Sequence, residues 1–114
     1  MSVSVTTRQV GDVSVLDVAG RITLGEGSST LRESLRGITA VKNAKILLNL
    51  EDVTYIDSSG IGELVSGFTN IQELGGQLKL LKLTKRVKDL LQITKLYTVF
   101  EVFDDEATAI RSFH

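Results

Sequence analysis

Residues 44–62 have the sequence AKILLNLEDVTYIDSSGIG, which changes from an apolar run to a stretch rich in serine and glycine. The stretch begins with a short apolar run, Ala44 to Leu50, of the kind found in a strand covered on both faces, as parallel sheets require. It ends with serine, aspartate and glycine residues, which favour the start of a helix. The stretch therefore predicts a buried strand followed by a helix that begins near Ser58.

The residues after Ser58 have helical periodicity. One face of this second predicted helix carries Ile61, Leu64, Val65, Phe68, Ile71 and Leu74. Gly75 and Gly76 end it, because glycine supplies the left-handed conformation that helix C-termini favour. Gly60 and Gly62 lie in its first turn, where we expect close approach to a neighbouring backbone, and we expect Ser58 to be exposed.

On the N-terminal side, the sequence predicts a β-hairpin, a loop and a helix. Gly11-Asp12 is a turn signal between the two strands. The apolar residues of those strands are Val3 and Val5, then Val13, Val15, Leu16 and Val18. The loop spans Gly20 to Gly27, and Ser28 or Ser29 is the predicted N-cap of the first helix. The apolar face of that helix consists of Leu31, Leu35, Ile38 and Val41.

On the C-terminal side, two more strands alternate with two more helices. The fourth strand contains Leu78, Leu80, Leu81 and Leu83, and Thr84 caps the helix that carries Val87, Leu90 and Leu91. The last strand contains Val99, Phe100, Val102 and Phe103. Asp104 or Asp105 begins the final helix. The order β-β-α-β-α-β-α-β-α predicts an α/β fold: a mostly parallel sheet of about five strands with an N-terminal hairpin and about four helices.

The composition argues against several classes of protein. The 114 residues suit one domain over residues 1–114. Lys and Arg number 13 against 14 Asp and Glu, whereas nucleic-acid-binding proteins normally carry a basic excess. Cysteine is absent and the one histidine is His114, which disfavours a cysteine nucleophile, a histidine base and a metal site. We therefore expect no catalytic residues, no metal and no cofactor.

The hydropathy pattern of the chain indicates its cellular location. No apolar run is long enough to span a membrane. The stretch Met1 to Val5 lacks the basic and apolar regions of a secretory signal. We expect a cytoplasmic protein that neither inserts into membranes nor binds nucleic acid.

The stretch from Thr54 to Gly62 lies beyond the carboxyl end of a predicted strand, where ligands and reactive groups collect in α/β sheets. Ser and Asp are also the preferred N-caps, and this structural interpretation is compatible with a functional one. Nucleotide-binding motifs do not match, because Glu63 stands where a P-loop needs lysine and Val65 where a dinucleotide fingerprint needs glycine. Ile56 occupies the position that a hydrolase nucleophile elbow requires to be glycine before Ser58.

Two clusters of charged residues are explained by structure and solvation rather than by a functional site. Asp104, Asp105 and Glu106 suit the first turn of a helix, where the dipole favours negative charge. A basic stretch near another helix start is typical of a solvated face rather than an anion site. It comprises Lys82, Lys85, Arg86 and Lys88.

The motif Asp57-Ser58-Ser59-Gly60-Ile61-Gly62 resembles that of STAS domains, the family of sulphate-transporter tails and anti-sigma-factor antagonists. The resemblance covers nearly the whole chain, including Asn49-Leu50 at the end of the buried strand and Gly75-Gly76 before the next strand. The short single-domain form most resembles the bacterial anti-sigma-factor antagonists.

This resemblance implies a partner-switching role. The unmodified protein would bind an anti-sigma factor that is also a serine kinase, and so release a sigma factor. The kinase would phosphorylate Ser58, and a phosphatase would restore the binding form. The residues implied to surround the phosphorylation site are Asp57, Ser59, Gly60, Ile61 and Gly62. Many relatives carry an acidic residue after the second strand, near the acceptor. This chain has Thr23 there, and Glu26 is the candidate substitute.

Two other hypotheses remain at this point. One keeps the fold but makes the chain a STAS subunit of a stress-sensing assembly or of a lipid-transport complex. The other is a small nucleotide-binding or hydrolytic protein, which is disfavoured by the lack of a P-loop lysine, a histidine base and a metal cluster. Phosphorylation of Ser58 by an anti-sigma kinase would distinguish the anti-sigma-factor antagonist from the STAS-subunit alternative.

Overall fold

The computed structural model describes residues 3–114, so Met1 and Ser2, part of the N-terminal stretch considered above, lie outside the described residues. Within this range, strands and helices follow the predicted order. They are β1 (Val3–Val10), β2 (Val13–Ile22), α1 (Glu26–Thr39), β3 (Lys45–Ile56), α2 (Ser58–Glu73), β4 (Gln77–Leu81), α3 (Lys85–Ile93), β5 (Val102–Phe103) and α4 (Glu106–Ser112). The predicted α/β class is therefore confirmed.

The described strands form one sheet in the order β1-β2-β3-β4-β5. β1 and β2 are antiparallel and are joined by the predicted turn, where Gly11 has a φ of 63°. The other neighbouring strands are parallel, as their helical connections require. The carboxyl ends of β2, β3 and β4 consequently lie along the same side of the sheet.

Helices cover both faces of the sheet. One apolar cluster joins the sheet to α1, α2 and α3 through side chains that include Leu31 and Leu91. A smaller cluster on the other face contains Ala109 of α4. β3 contributes Leu48 to the first cluster and Leu47 to the second, and both are fully buried. The prediction of a strand covered on both faces is confirmed.

β3 is longer than the apolar run that predicted it. It continues past Leu50 to Ile56, and both Val53 and Ile56 are buried in the core. Exposed Glu51 and Asp52 interrupt the hydrophobic pattern, and the pairing with β2 shifts register at this point. An irregularity of this kind breaks the alternation that sequence analysis depends on.

The start of α1 differs from the prediction. The helix begins at Glu26 with Gly25 as its N-cap, so neither Ser28 nor Ser29 caps it. A Cβ added to Gly27 would lie 2.5 Å from the carbonyl oxygen of Arg21. Gly27 therefore allows the first turn of α1 to pack against the end of β2, and the loop shrinks to residues 23–25.

The ends of three other elements were also predicted wrongly. Val41 follows the end of α1 and is 58% exposed, so it does not belong to the apolar face of that helix. Leu83 follows the end of β4. Val99 and Phe100 precede β5, although Phe100 is buried in the core. Side chains outside regular elements can thus contribute to the core without the pairing that defines a strand.

The other predicted helix boundaries agree with the structure, except that α2 ends at Glu73 and Leu74 is its C-cap. Thr84 caps α3 by accepting a hydrogen bond from the N–H of Val87. Asp105 caps α4 in the same way. Gly75 follows α2 with a φ of 79°. Among residues 3–114, no helix has both the length and the apolar character needed to cross a membrane.

Candidate functional site

Asp57 forms the junction between β3 and α2. It lies between Ile56, the last residue of β3, and Ser58, the first residue of α2. Its Oδ1 accepts hydrogen bonds from the N–H of Ser59 at 3.0 Å and from the N–H of Gly60 at 3.2 Å, and also from the Ser59 hydroxyl. These bonds satisfy donors that a helix N-terminus leaves unpaired, so the N-cap interpretation of the motif is confirmed.

The second carboxylate oxygen of Asp57 contacts a different part of the chain. Its Oδ2 accepts a hydrogen bond from the N–H of Leu24 at 3.0 Å. The N–H of Asp57 donates to the carbonyl oxygen of Ile22 at 3.1 Å. Asp57 therefore joins the loop between β2 and α1 (residues 23–25, the β2–α1 loop) to the N-terminus of α2.

These contacts keep Asp57 ionised. The hydrogen bond from the Ser59 hydroxyl lowers the pKa of Asp57 most, and the N–H groups of Leu24, Gly60 and Ser59 lower it further. Partial burial opposes the shift but does not reverse it. Ser58 is consequently the neighbour of a carboxylate that is negative at neutral pH.

The two serines of the motif occupy different environments. Ser58 is exposed, as predicted, at the first position of α2. Ser59 is partly buried, and its hydroxyl is engaged by Asp57. A partner can therefore approach the Ser58 hydroxyl without breaking the cap, whereas modification of Ser59 would remove a cap contact.

The two motif glycines also differ. A Cβ on Gly60 would lie 2.7 Å from side-chain carbons of Ile22 and Ile56, so close approach is confirmed there. The same prediction is wrong for Gly62, which is exposed, because an added Cβ would meet no atom within 4 Å apart from its chain neighbours and the backbone of its own helix. Two residues rotate a helix by about 200°, so Gly62 faces away from the sheet that Gly60 contacts.

The remaining predicted site residues lie in three different segments, the β2–α1 loop, α1 and α2. Thr23 is half-buried in the β2–α1 loop, where its carbonyl oxygen accepts from the N–H of Ser28 at 2.9 Å. Glu26 is exposed at the start of α1. Ile61 is only 3% exposed and packs in the core beneath the site. The loop contacts Asp57 through its backbone, so its position does not depend on an acidic side chain at residue 23.

Sequence analysis did not identify Leu24 as a site residue. Its side chain is 81% exposed, although its N–H is held by Asp57. An exposed leucine on a fixed backbone offers apolar surface that a partner can bury. The signal in the sequence was an apolar residue placed directly before Gly25 in a predicted loop.

The same side of the sheet also carries two arginines. The Arg86 guanidinium carbon lies 4.3 Å from the centre of the Tyr55 ring, and that of Arg21 lies 4.7 Å from it. Lys85 pairs instead with Asp89 at 2.8 Å along α3. Of the basic stretch, Lys85 and Arg86 are exposed, as predicted, whereas Lys82 and Lys88 are half-buried. Arg86 also stacks on Tyr55 near the end of β3.

Comparison with known proteins identifies the family. The STAS domain family model matches residues 4–109. The chain is 32% identical over 102 residues to the anti-sigma-B factor antagonist of Bacillus subtilis (strain 168), covering 90% of this chain and 92% of that protein. The chain therefore belongs to the STAS domain family, and the resemblance inferred from the sequence motif is confirmed.

Solved structures show the same fold. An anti-sigma factor antagonist from Mycobacterium paratuberculosis matches with a TM-score of 0.86 at 16% identity, covering 97% of this chain and 93% of that chain. The Bacillus cell fate determinant SpoIIAA in its phosphorylated form matches with a TM-score of 0.72 at 20% identity, covering 95% of this chain and 97% of that chain.

Proposed function

We propose that this chain is an anti-sigma-factor antagonist controlled at Ser58. In its unmodified form it binds an anti-sigma factor and so releases a sigma factor in the cytoplasm. The anti-sigma factor is also the kinase that phosphorylates Ser58, and a phosphatase reverses the modification. The observation that carries the proposal is the exposed Ser58 hydroxyl on a helix start that Asp57 holds in place.

The surface around Ser58 is suited to binding a protein. Ser58, Leu24 and Gly62 are all exposed, and we call them the docking surface. Gly62 has no side chain, so a partner can approach the backbone of α2 closely. Complete burial of a leucine side chain contributes about 1.5–3 kcal/mol. Leu24 therefore supplies an apolar contact beside the phosphorylation site.

In this proposal the chain is a substrate and a regulator, not an enzyme. The Ser58 oxygen forms a bond to the γ-phosphorus of ATP while the bond from that phosphorus to the bridging oxygen of ADP breaks. A base of the kinase receives the hydroxyl proton. The role of this chain is to present Ser58 in a fixed position, which it does through the cap.

Phosphorylation need not change the fold. A phosphate adds roughly −1.5 to −2 charges at pH 7. A helix N-terminus attracts such a group by about 0.3–2 kcal/mol. Here the N–H groups of Ser59 and Gly60 already bind Asp57, whose charge repels the phosphate. Attraction and repulsion are of comparable size, so neither dominates.

Burial of the phosphate under a partner has a much larger effect. An ionised group that loses its water without compensation costs several kcal/mol. About 4 kcal/mol corresponds to a roughly thousandfold loss of affinity. Phosphorylation can therefore break the complex at the docking surface without any conformational change.

Incubation with ATP and a purified anti-sigma kinase tests the proposal. Mass spectrometry should locate one phosphate on Ser58. Ser58→Ala should abolish the modification, and Ser66→Ala, which removes an exposed hydroxyl farther along α2, is the matched control that should retain it. If no anti-sigma factor of the organism phosphorylated or bound this chain, the STAS-subunit alternative would replace this proposal.

Calorimetry with the same partner tests the switch itself. Ser58→Ala should bind about as tightly as the wild type, because only a hydroxyl is lost. Ser58→Asp should bind much more weakly, because its charge must be desolvated at the interface. Equal affinities of the two variants would remove Ser58 from the switch.

A further inference from the structure

The two edges of the sheet differ in their protection against pairing with another strand. Natural proteins protect edges with very short strands, lysine, proline or bulges. β5 has only two residues, Val102–Phe103, and is protected by its shortness. β1 has eight residues, Val3–Val10, without lysine or proline, and pairs with β2 without a register shift. β1 therefore has none of these protections.

The one charged residue of β1 does not protect its edge either. Arg8 donates from Nε to Asp17 at 2.7 Å and from Nη2 to Glu106 at 2.6 Å. These partners lie on β2 and α4, so the guanidinium is held over the face of the sheet rather than extended beyond the strand. The side chain leaves the backbone of the edge accessible.

The turn between β1 and β2 determines which backbone N–H and C=O groups of β1 point away from β2. Val10 and Val13 flank a two-residue turn and so form a hydrogen-bonded pair. Because this pattern alternates along an antiparallel ladder, Val3, Val5, Thr7 and Gln9 direct their N–H and C=O groups away from β2. Within residues 3–114, no backbone hydrogen bond from another segment reaches these groups.

We propose that β1 pairs with β1 of a second copy of this chain, in antiparallel orientation and centred on Thr6, to form a dimer with a continuous sheet. Two-fold symmetry makes an antiparallel edge complementary to itself, so no other partner is needed. This inference goes beyond the proposed function and does not depend on it.

The register follows from the outward-pointing groups. With Thr6 on the two-fold axis, Val3 pairs with Gln9 of the second copy and Val5 pairs with Thr7. All four outward-pointing residues then exchange hydrogen bonds within the described strand. Centring on Thr7 would leave Val3 opposite the hairpin turn. The Thr6 register also avoids placing Arg8 opposite a like charge, since its neighbour across the axis is Ser4.

Single cysteines provide a direct test, because the chain contains none. The proposed register places Thr6 opposite Thr6 of the second copy at about 4.5 Å between Cα atoms, which is within reach of a disulfide. Thr6→Cys should therefore give a cross-linked dimer on mild oxidation. Ser4→Cys, exposed on the same face, is the matched control. It should stay uncross-linked, because the two cysteines would be about 13 Å apart along the strands.

Light scattering measures the association without cross-linking. The wild type should be a dimer, and Thr7→Pro should be a monomer because proline removes an outward-pointing N–H. Thr7→Ala keeps that N–H and should remain a dimer. Circular dichroism checks that each variant is folded. A wild type that is monomeric at millimolar concentration, together with no cross-link for Thr6→Cys, would overturn the proposal. Cross-linking of Ser4→Cys in preference would overturn the register.

Discussion

The two strand-to-helix junctions on the Ser58 side of the sheet are built differently. At the β3–α2 junction, the Asp57 side chain caps the helix. At the β2–α1 junction, the N-cap is Gly25, with a φ of 104° and no side-chain hydrogen bond. The β2–α1 junction is instead held by the bond from Leu24 to Asp57. One carboxylate thus orders both junctions, and the loop that presents Leu24 depends on a residue from the other junction.

Both junctions nevertheless need a glycine, and removing it should have the largest effect. Gly27→Ala places a Cβ 2.5 Å from a backbone oxygen, whereas Gly60→Ala places one 2.7 Å from two isoleucine side chains. Overpacking costs about 1–3 kcal/mol, and we expect Gly27→Ala to cost more because backbone yields less than side chains. Denaturant titration measures both free energies of unfolding.

Gly62→Ala is the matched control for those two variants. It adds the same methyl group to a helix position with open space, so it should not destabilise the protein. Equal losses of stability at Gly62 and Gly60 would show that close approach is not what the β3–α2 junction requires.

Replacing Asp57 should loosen both junctions at once. Loss of an N-cap costs about 0.5–2 kcal/mol. Asp57→Ala should therefore lower the free energy of unfolding by that amount and should also speed amide exchange at Leu24. Asp105→Ala removes a comparable cap from α4 and is the control, because it should leave exchange at Leu24 unchanged. If exchange at Leu24 were the same in both variants, the two junctions would be independent.

The pH dependence of stability should reveal the contribution of the Asp57 charge, with a smaller effect than replacement of Asp57 by alanine. Because the pKa of Asp57 is lowered in the folded state, its contribution is present above the unfolded pKa, about 3.9. That contribution is lost as pH falls through the folded pKa. The stability difference between the wild type and Asp57→Asn should therefore be largest near neutral pH and shrink below about pH 4. A difference that stayed constant across this range would show that the charge of Asp57 is not involved.

Leu24→Ala should have the smallest effect on stability, within about 0.5 kcal/mol, because an exposed side chain is removed. Under the proposed function it should still weaken binding to the anti-sigma factor by roughly tenfold, or about 1.4 kcal/mol, because complete burial of a leucine side chain contributes about 1.5–3 kcal/mol. Ile93→Ala, which removes a similarly exposed side chain at the end of α3, is the control for calorimetry. Equal binding by both variants would exclude Leu24 from the interface.

Much of the fold could be predicted because its signals are local. The Asp57 cap, the Thr84 cap and the glycine after α2 each act within a few residues of their own helix end. The buried run in β3 predicted a strand covered on both faces, because both faces must be apolar there. The exposure of Ser58 followed from its place between that strand and the apolar face of α2.

The sequence by itself determined the order of elements, the mostly parallel sheet and the position of Ser58 at a helix start, because periodicity and capping are properties of neighbouring residues. Only the tertiary structure decided that Gly27 packs against Arg21, that Gly62 faces open space and that Asp57 holds Leu24. The physical reason is distance along the chain. Asp57 and Leu24 are 33 residues apart, and they meet because parallel β2 and β3 end side by side. No local pattern encodes that register.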